Sequence, residues 1–120
     1  MVVQTTAMRN ILAGAYGTNA PYAALYTTAP GGTPPSGTAG TEVTGGTYAR
    51  KALSGGSWTT GSAGAVTVTV TFDVPAGSTI RGAGVHTASS GGTYLDGGTL
   101  TDQAFASAGT YTLTLTATVT

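Results

Sequence analysis

The sequence predicts an all-β protein, an antiparallel β-sandwich of jelly-roll-like character with one short helix at its N-terminus. Two segments alternate between apolar residues and threonine, "AVTVTVTFDV" (Ala65 to Val74) and "TYTLTLTATVT" (Thr110 to Thr120). That period of two is the signature of a strand with one buried face. Short β-branched runs between them are separated by turn-rich clusters such as "PAGS" and "SSGG", the spacing of a sandwich or barrel. No strand pattern alternates with a helical one, which argues against a parallel βαβ organisation.

The elements follow in order. Residues 1–14 are the one helical candidate, because Val3, Ala7, Met8, Ile11 and Leu12 recur near helical spacing and Gly14 or Gly17 offers a stop. Residues 1–17 are therefore read as an N-terminal helical arm. "APYAALYTT" gives the first strand, with Tyr22, Ala24 and Tyr26 on one face. Residues 29–46, "APGGTPPSGTAGTEVTGG", form a long loop whose glycines and prolines exclude a regular interior element. A loop of that length in so small a domain is either functional or mobile, or else a plain solvated connection. "TYARKAL" is the next strand, and "SWTT" carries Trp58, the only tryptophan. After "AVTVTVTFDV" come "TIRGAGVHTA", "TYLDGG" and "TLTDQAFA", read as three further strands with "GAG" and "GG" as turns or bulges. The sandwich spans 22–120, and the 120 residues make one domain.

The alternation also fixes a core. Val66, Val68, Val70, Phe72 and Val74 should face inward with Tyr111, Leu113, Leu115 and Val119, each larger side chain stabilising by about 1.5–3 kcal/mol on burial. Thr67, Thr69 and Thr71, with Thr112, Thr114 and Thr116, should face water, since a β-branched residue suits the pleat and its hydroxyl suits solvent. The last strand lacks the lysine, proline or bulge that protects natural sheet edges. It is expected inside its own sheet, the alternative being a strand paired with another subunit.

Composition excludes several function classes. Charged residues make up 7% of the chain, against about a quarter in ordinary globular domains. Arg9, Arg50, Lys51 and Arg81 balance Glu42, Asp73, Asp96 and Asp102, leaving no basic stripe for nucleic acid. Cysteine is absent, which rules out disulfides and thiolate chemistry. No apolar run approaches the roughly 20 residues that span a bilayer, and the first residues lack the pattern of a cleaved secretory leader. His86 is the only histidine, with no serine in a nucleophile-elbow setting to serve. The four acids form neither a paired-carboxylate motif nor a calcium loop. The expectation is a non-enzyme without cofactor or metal. The threonine rows raise one remote alternative, an ice-binding array. The absence of a turn-by-turn repeat and the roughly 20–25° twist per strand of an ordinary sheet count against it.

From Tyr22 onward the order of segments resembles a family of small virion proteins of tailed phages and prophages, largely of actinobacteria, described as tail-fibre-like or minor structural proteins. "YAALYTTAP", "GTEVTGGTYARKAL", "TFDVPAGSTIRGAGVHTASSGGTYLDGG" and the threonine-rich end carry the resemblance, with "EVTGGTYAR" and "FDVPAGSTI" its most specific parts. It implies a structural role on the virion exterior, as a capsid decoration or a tail-associated appendage, after assembly in the bacterial host cytoplasm. Its partners would be other virion proteins, and a homo-oligomer, possibly a trimer, is expected. The alternative is a tail-fibre module binding a host-surface glycan. The candidate interface residues are Met8, Ile11, Leu12, Tyr16, Tyr22, Tyr48 and Trp58, since apolar and aromatic side chains anchor protein contacts.

Overall fold

A computed structural model describes residues 5–19, 22–33, 35–53, 59–60 and 65–118. Among these it shows helix α1 (Thr6–Asn19) and strands β1 (Tyr22–Tyr26), β2 (Lys51–Ala52), β3 (Thr59–Thr60), β4 (Ala65–Val74), β5 (Ser78–His86), β6 (Tyr94–Phe105) and β7 (Gly109–Thr118). The strands form a four-stranded sheet ordered β2-β1-β5-β6 and a three-stranded sheet ordered β3-β4-β7. Every pairing is antiparallel, as the sequence predicts.

The core lies between the sheets. Ala23, Leu25, Ile80, Ala83 and Val85 come from the larger sheet and Val68, Phe72, Val74 and Leu113 from the smaller, each at most 2% exposed. The β4–β7 register sets Val68 opposite Leu115, Val70 opposite Leu113 and Phe72 opposite Tyr111. Val70 and Leu115 are half-buried rather than fully enclosed. On the other face the threonines pair hydroxyl to hydroxyl: Thr67 with Thr116 and Thr69 with Thr114 at 3.1 Å, and Thr71 with Thr112 at 3.2 Å. Threonine thus serves twice, as a pleat-filling residue and as a cross-strand hydrogen-bonding pair.

Four local expectations are corrected. The helix begins later than residue 1–14 spacing suggests, because Thr5 caps it: the Met8 N–H donates to Thr5 Oγ1 at 3.2 Å. It then runs through Gly14 to Asn19, whose side-chain amide donates to the Ala15 carbonyl at 2.8 Å and so satisfies one of the terminal acceptors. "TYLDGG" and "TLTDQAFA" form one strand, β6, since Gly97 pairs with Gly84 in the ladder. A Cβ at Gly97 would approach Tyr94 Oη to 2.5 Å, so glycine is there to admit a neighbour, and no turn occurs. Only Lys51–Ala52 of "TYARKAL" is strand, because Tyr48 and Arg50 are held by side-chain bonds instead. Finally, among the described residues β7 pairs with β4 alone and stands at the edge of its sheet, where an interior place was expected. Val119 and Trp58 lie outside the described residues.

The loop at 29–46 is tied down along its length. Gly31 and Thr38 exchange two backbone hydrogen bonds at 2.9 Å, and the Val43 N–H donates to Leu25 O at 3.0 Å. Val43 is 2% exposed. Pro30 lies over the outer face of the larger sheet, where a Cβ at Gly82 would come within 2.5 Å of its Cδ. The loop is therefore a cover for β5 and β6.

Candidate interaction surface

Helix α1 lies against β3, β4 and β7, and it turns Ala13 and Tyr16 inward. Ala13 is fully buried and Tyr16 half-buried, with Tyr16 packed on the core. The Tyr16 hydroxyl donates to Asp96 Oδ2 of β6 at 2.8 Å, tying the helix to the opposite sheet. Burial first, and then the Asp96 carboxylate, push the Tyr16 phenol well above its usual pKa, so it remains a donor. Met8, Ile11 and Leu12 point away and are 47%, 64% and 39% exposed. Their i, i+3, i+4 spacing makes one stripe. A capped, anchored helix thus presents its largest apolar side chains to solvent.

A second constellation fills the outer face of the larger sheet. His86, 6% exposed, places Nε2 2.5 Å from Tyr26 Oη. Tyr94 closes edge-on over the imidazole, its centroid 5.6 Å away. Glu42 meets Arg50 in a bidentate pair, with Nη2 2.8 Å from Oε1 and Nε 3.0 Å from Oε2. Arg50 Nη1 also donates to the Ala88 and Gly91 carbonyls, both at 2.8 Å. Gly91 and its neighbour Gly92 turn with φ of 63° and 71°, a left-handed pair that glycine adopts without strain. The Tyr48 hydroxyl donates to Glu42 at 2.8 Å and accepts from the Leu25 N–H at 3.0 Å. Burial and the neighbouring Arg50 charge lower the His86 pKa, against the pull of Glu42. Burial alone would raise Glu42, but the hydrogen bonds from Arg50 and Tyr48 bring it below the usual carboxylate value. The group is a lock: Arg50 clamps the β5–β6 turn to the end of the long loop, and His86 is sealed beneath it as a neutral ring.

The family described as Podophage GP4 fiber I protein gp80 matches residues 4–119. The chain belongs to this fibre family. No curated protein and no solved structure matches it. Its membership makes the protein a bacteriophage structural protein of the fibre type, a component of the virion.

Of the candidate interface residues, the structure brings Met8, Ile11 and Leu12 onto one exposed stripe. Tyr16, one turn after Leu12, flanks that stripe and is half-buried against the core. Tyr22 is half-buried in β1, opposite His86 and Ala52. Tyr48 is committed inward, stacked on Phe72 with centroids 6.1 Å apart. Trp58 falls outside the described residues. Sequence reasoning missed the Glu42–Arg50 lock. Its signal was two opposite charges eight residues apart in a chain that is only 7% charged.

Proposed function

We propose that this fibre-family protein is a tail-associated appendage module that performs no catalysis and is held on the virion by protein–protein contact. It is made in the host cytoplasm and joins the particle by docking α1 into an apolar groove of another virion protein, a recognised helix-in-groove mode. One observation carries this: Met8, Ile11 and Leu12 are exposed on a helix already capped by Thr5 and anchored by Tyr16. The helix does not need that stripe to hold its place, so the stripe is free for a partner. The fibre description of the family favours the tail over a capsid decoration. An actinobacterial phage source rests on the sequence resemblance alone.

The test is Ile11→Asp carried by the phage. Ile11 is 64% exposed, so the variant should fold and melt as the wild type does but vanish from purified virions. Leu95→Asp, at an exposed apolar site on β6 (45%), serves as a control and should be incorporated normally. Incorporation of Ile11→Asp at the wild-type level overturns the proposal.

A further inference from the structure

We infer that the open edge of β7 is a pairing site for β7 of a second copy of this chain, antiparallel and related by a two-fold axis close to Thr114. This contact uses none of Met8, Ile11 and Leu12 and stands independently of the docking proposed for α1.

The edge is open and unguarded. Among the described residues β7 bonds to β4 on one side only, in a register that runs unbroken over ten residue pairs from Ala65–Thr118 to Val74–Gly109. Gly109–Thr118 contains no charge and no proline, the devices that keep natural edges from adding a strand. The neighbouring edge, β6, differs. Its pairing with β5 shifts register twice, and it carries Asp96 and Asp102.

The inner face of β6 is only partly covered, with Leu100 and Phe105 packed against the core. Asp96, Gly98 and Gln103 lie opposite Val85, Ala83 and Ile80 in the ladder. Those three β5 residues are buried in the core, whereas their β6 partners are exposed. A cleft open to solvent separates Asp96–Gly98 from Thr114–Ala117, and Tyr16 of α1 lines it with its hydroxyl on Asp96. A strand added beside β7 would lie under β6 and cover the half-buried Leu115.

The pattern of β7 identifies the occupant. The β4–β7 pair shows what a threonine-alternating strand accepts as a neighbour: another such strand, with three hydroxyl-to-hydroxyl rungs on one face and apolar side chains on the other. A two-fold axis perpendicular to the sheet preserves faces. It sets threonine against threonine and leucine against leucine, so β7 is complementary to itself. With no charge on the strand, nothing repels the second copy. The result is a continuous sheet β3-β4-β7-β7-β4-β3 across two molecules.

Thr114 is exposed and sits opposite Thr69, so a charge there leaves the fold intact but meets its own copy at the axis. Purified wild type, Thr114→Lys, Thr114→Glu and an equimolar mixture of the two variants would be run by light scattering. The expected result is a wild-type dimer, two monomeric variants, and a dimer restored on mixing. In parallel, hydrogen exchange on the wild type should show alternate β7 amides gaining protection as concentration rises across the dimerisation range. A wild type that stays monomeric at millimolar concentration, an oligomer that survives both substitutions, or β7 exchange independent of concentration overturns the inference.

Discussion

Arg50→Met removes the guanidinium while keeping much of the side chain's length, and the structure sets the size of the effect. The Arg50 side chain is 8% exposed and that of Glu42 28%, with their atoms 2.8 Å apart. An exposed ion pair is worth about 0–1 kcal/mol, and breaking a buried one by deleting a partner costs about 3–5 kcal/mol. Glu42 retains Tyr48 as a donor and some water, while the Ala88 and Gly91 carbonyls lose theirs. The expected cost is therefore roughly 2–4 kcal/mol. At about 4 °C per kcal/mol for a domain of this size, Tm should fall by roughly 8–16 °C. The comparison is Arg81→Met, which breaks the Arg81–Asp102 pair at 3.4 Å with side chains 47% and 64% exposed and should cost at most about 1 kcal/mol. Urea titrations read both as midpoint shifts at constant m. An Arg50→Met loss no larger than that of Arg81→Met would refute the lock.

Two other outcomes follow from the same face of the sheet. Gly84→Ala places a Cβ 2.5 Å from Tyr26 Oη and 2.9 Å from the Asp96 carbonyl oxygen, whereas a Cβ at Gly98 meets nothing within 4 Å. Urea midpoints should therefore show a loss of about 1–3 kcal/mol for Gly84→Ala and little change for Gly98→Ala; equal losses would mean that the Tyr26 ring does not lie over Gly84. The second outcome concerns pH. His86 has a lowered pKa in the folded state, so just below about pH 6.5 the unfolded chain binds the extra proton and stability falls with pH. Glu42, also lowered, contributes stability that is present above its unfolded value of about 4.3 and is lost as pH falls through its folded value. Tm should drop between pH 7 and 5 and again below 4.5. His86→Gln should abolish the first step, and a wild type equally stable at pH 7 and 5 contradicts the sealed, neutral imidazole.

The parts of the fold legible in the sequence were those with a strict period. Ala65–Val74 appears as a strand at its expected bounds, with valine inward and threonine outward, because alternation couples directly to a buried face. Glycine was harder to read. In "RGAGVH" and "LDGGT" it suggested turns or bulges; the β5–β6 ladder does shift register between Ile80 and Gly82, but Gly82, Gly84 and Gly97 sit within strands and receive Pro30, Tyr26 and Tyr94. That role depends on what packs above them, and the sequence does not display it locally. The apolar stripe of α1 was legible as an amphipathic pattern, but its outward direction was not. Ala13 and the half-buried Tyr16 take the inward side, and Met8, Ile11 and Leu12 are left facing solvent. The edge position of β7 depends on sheet order, a long-range property that strand propensity does not encode.

The central claim is that this fibre-family chain is a structural part of the phage tail. The direct measurement is immunogold labelling of purified virions combined with quantitative mass spectrometry of copy number. The account predicts label confined to the tail and a handful of copies per particle. Label spread over the capsid with hundreds of copies, or absence of the protein from the virion, would contradict it.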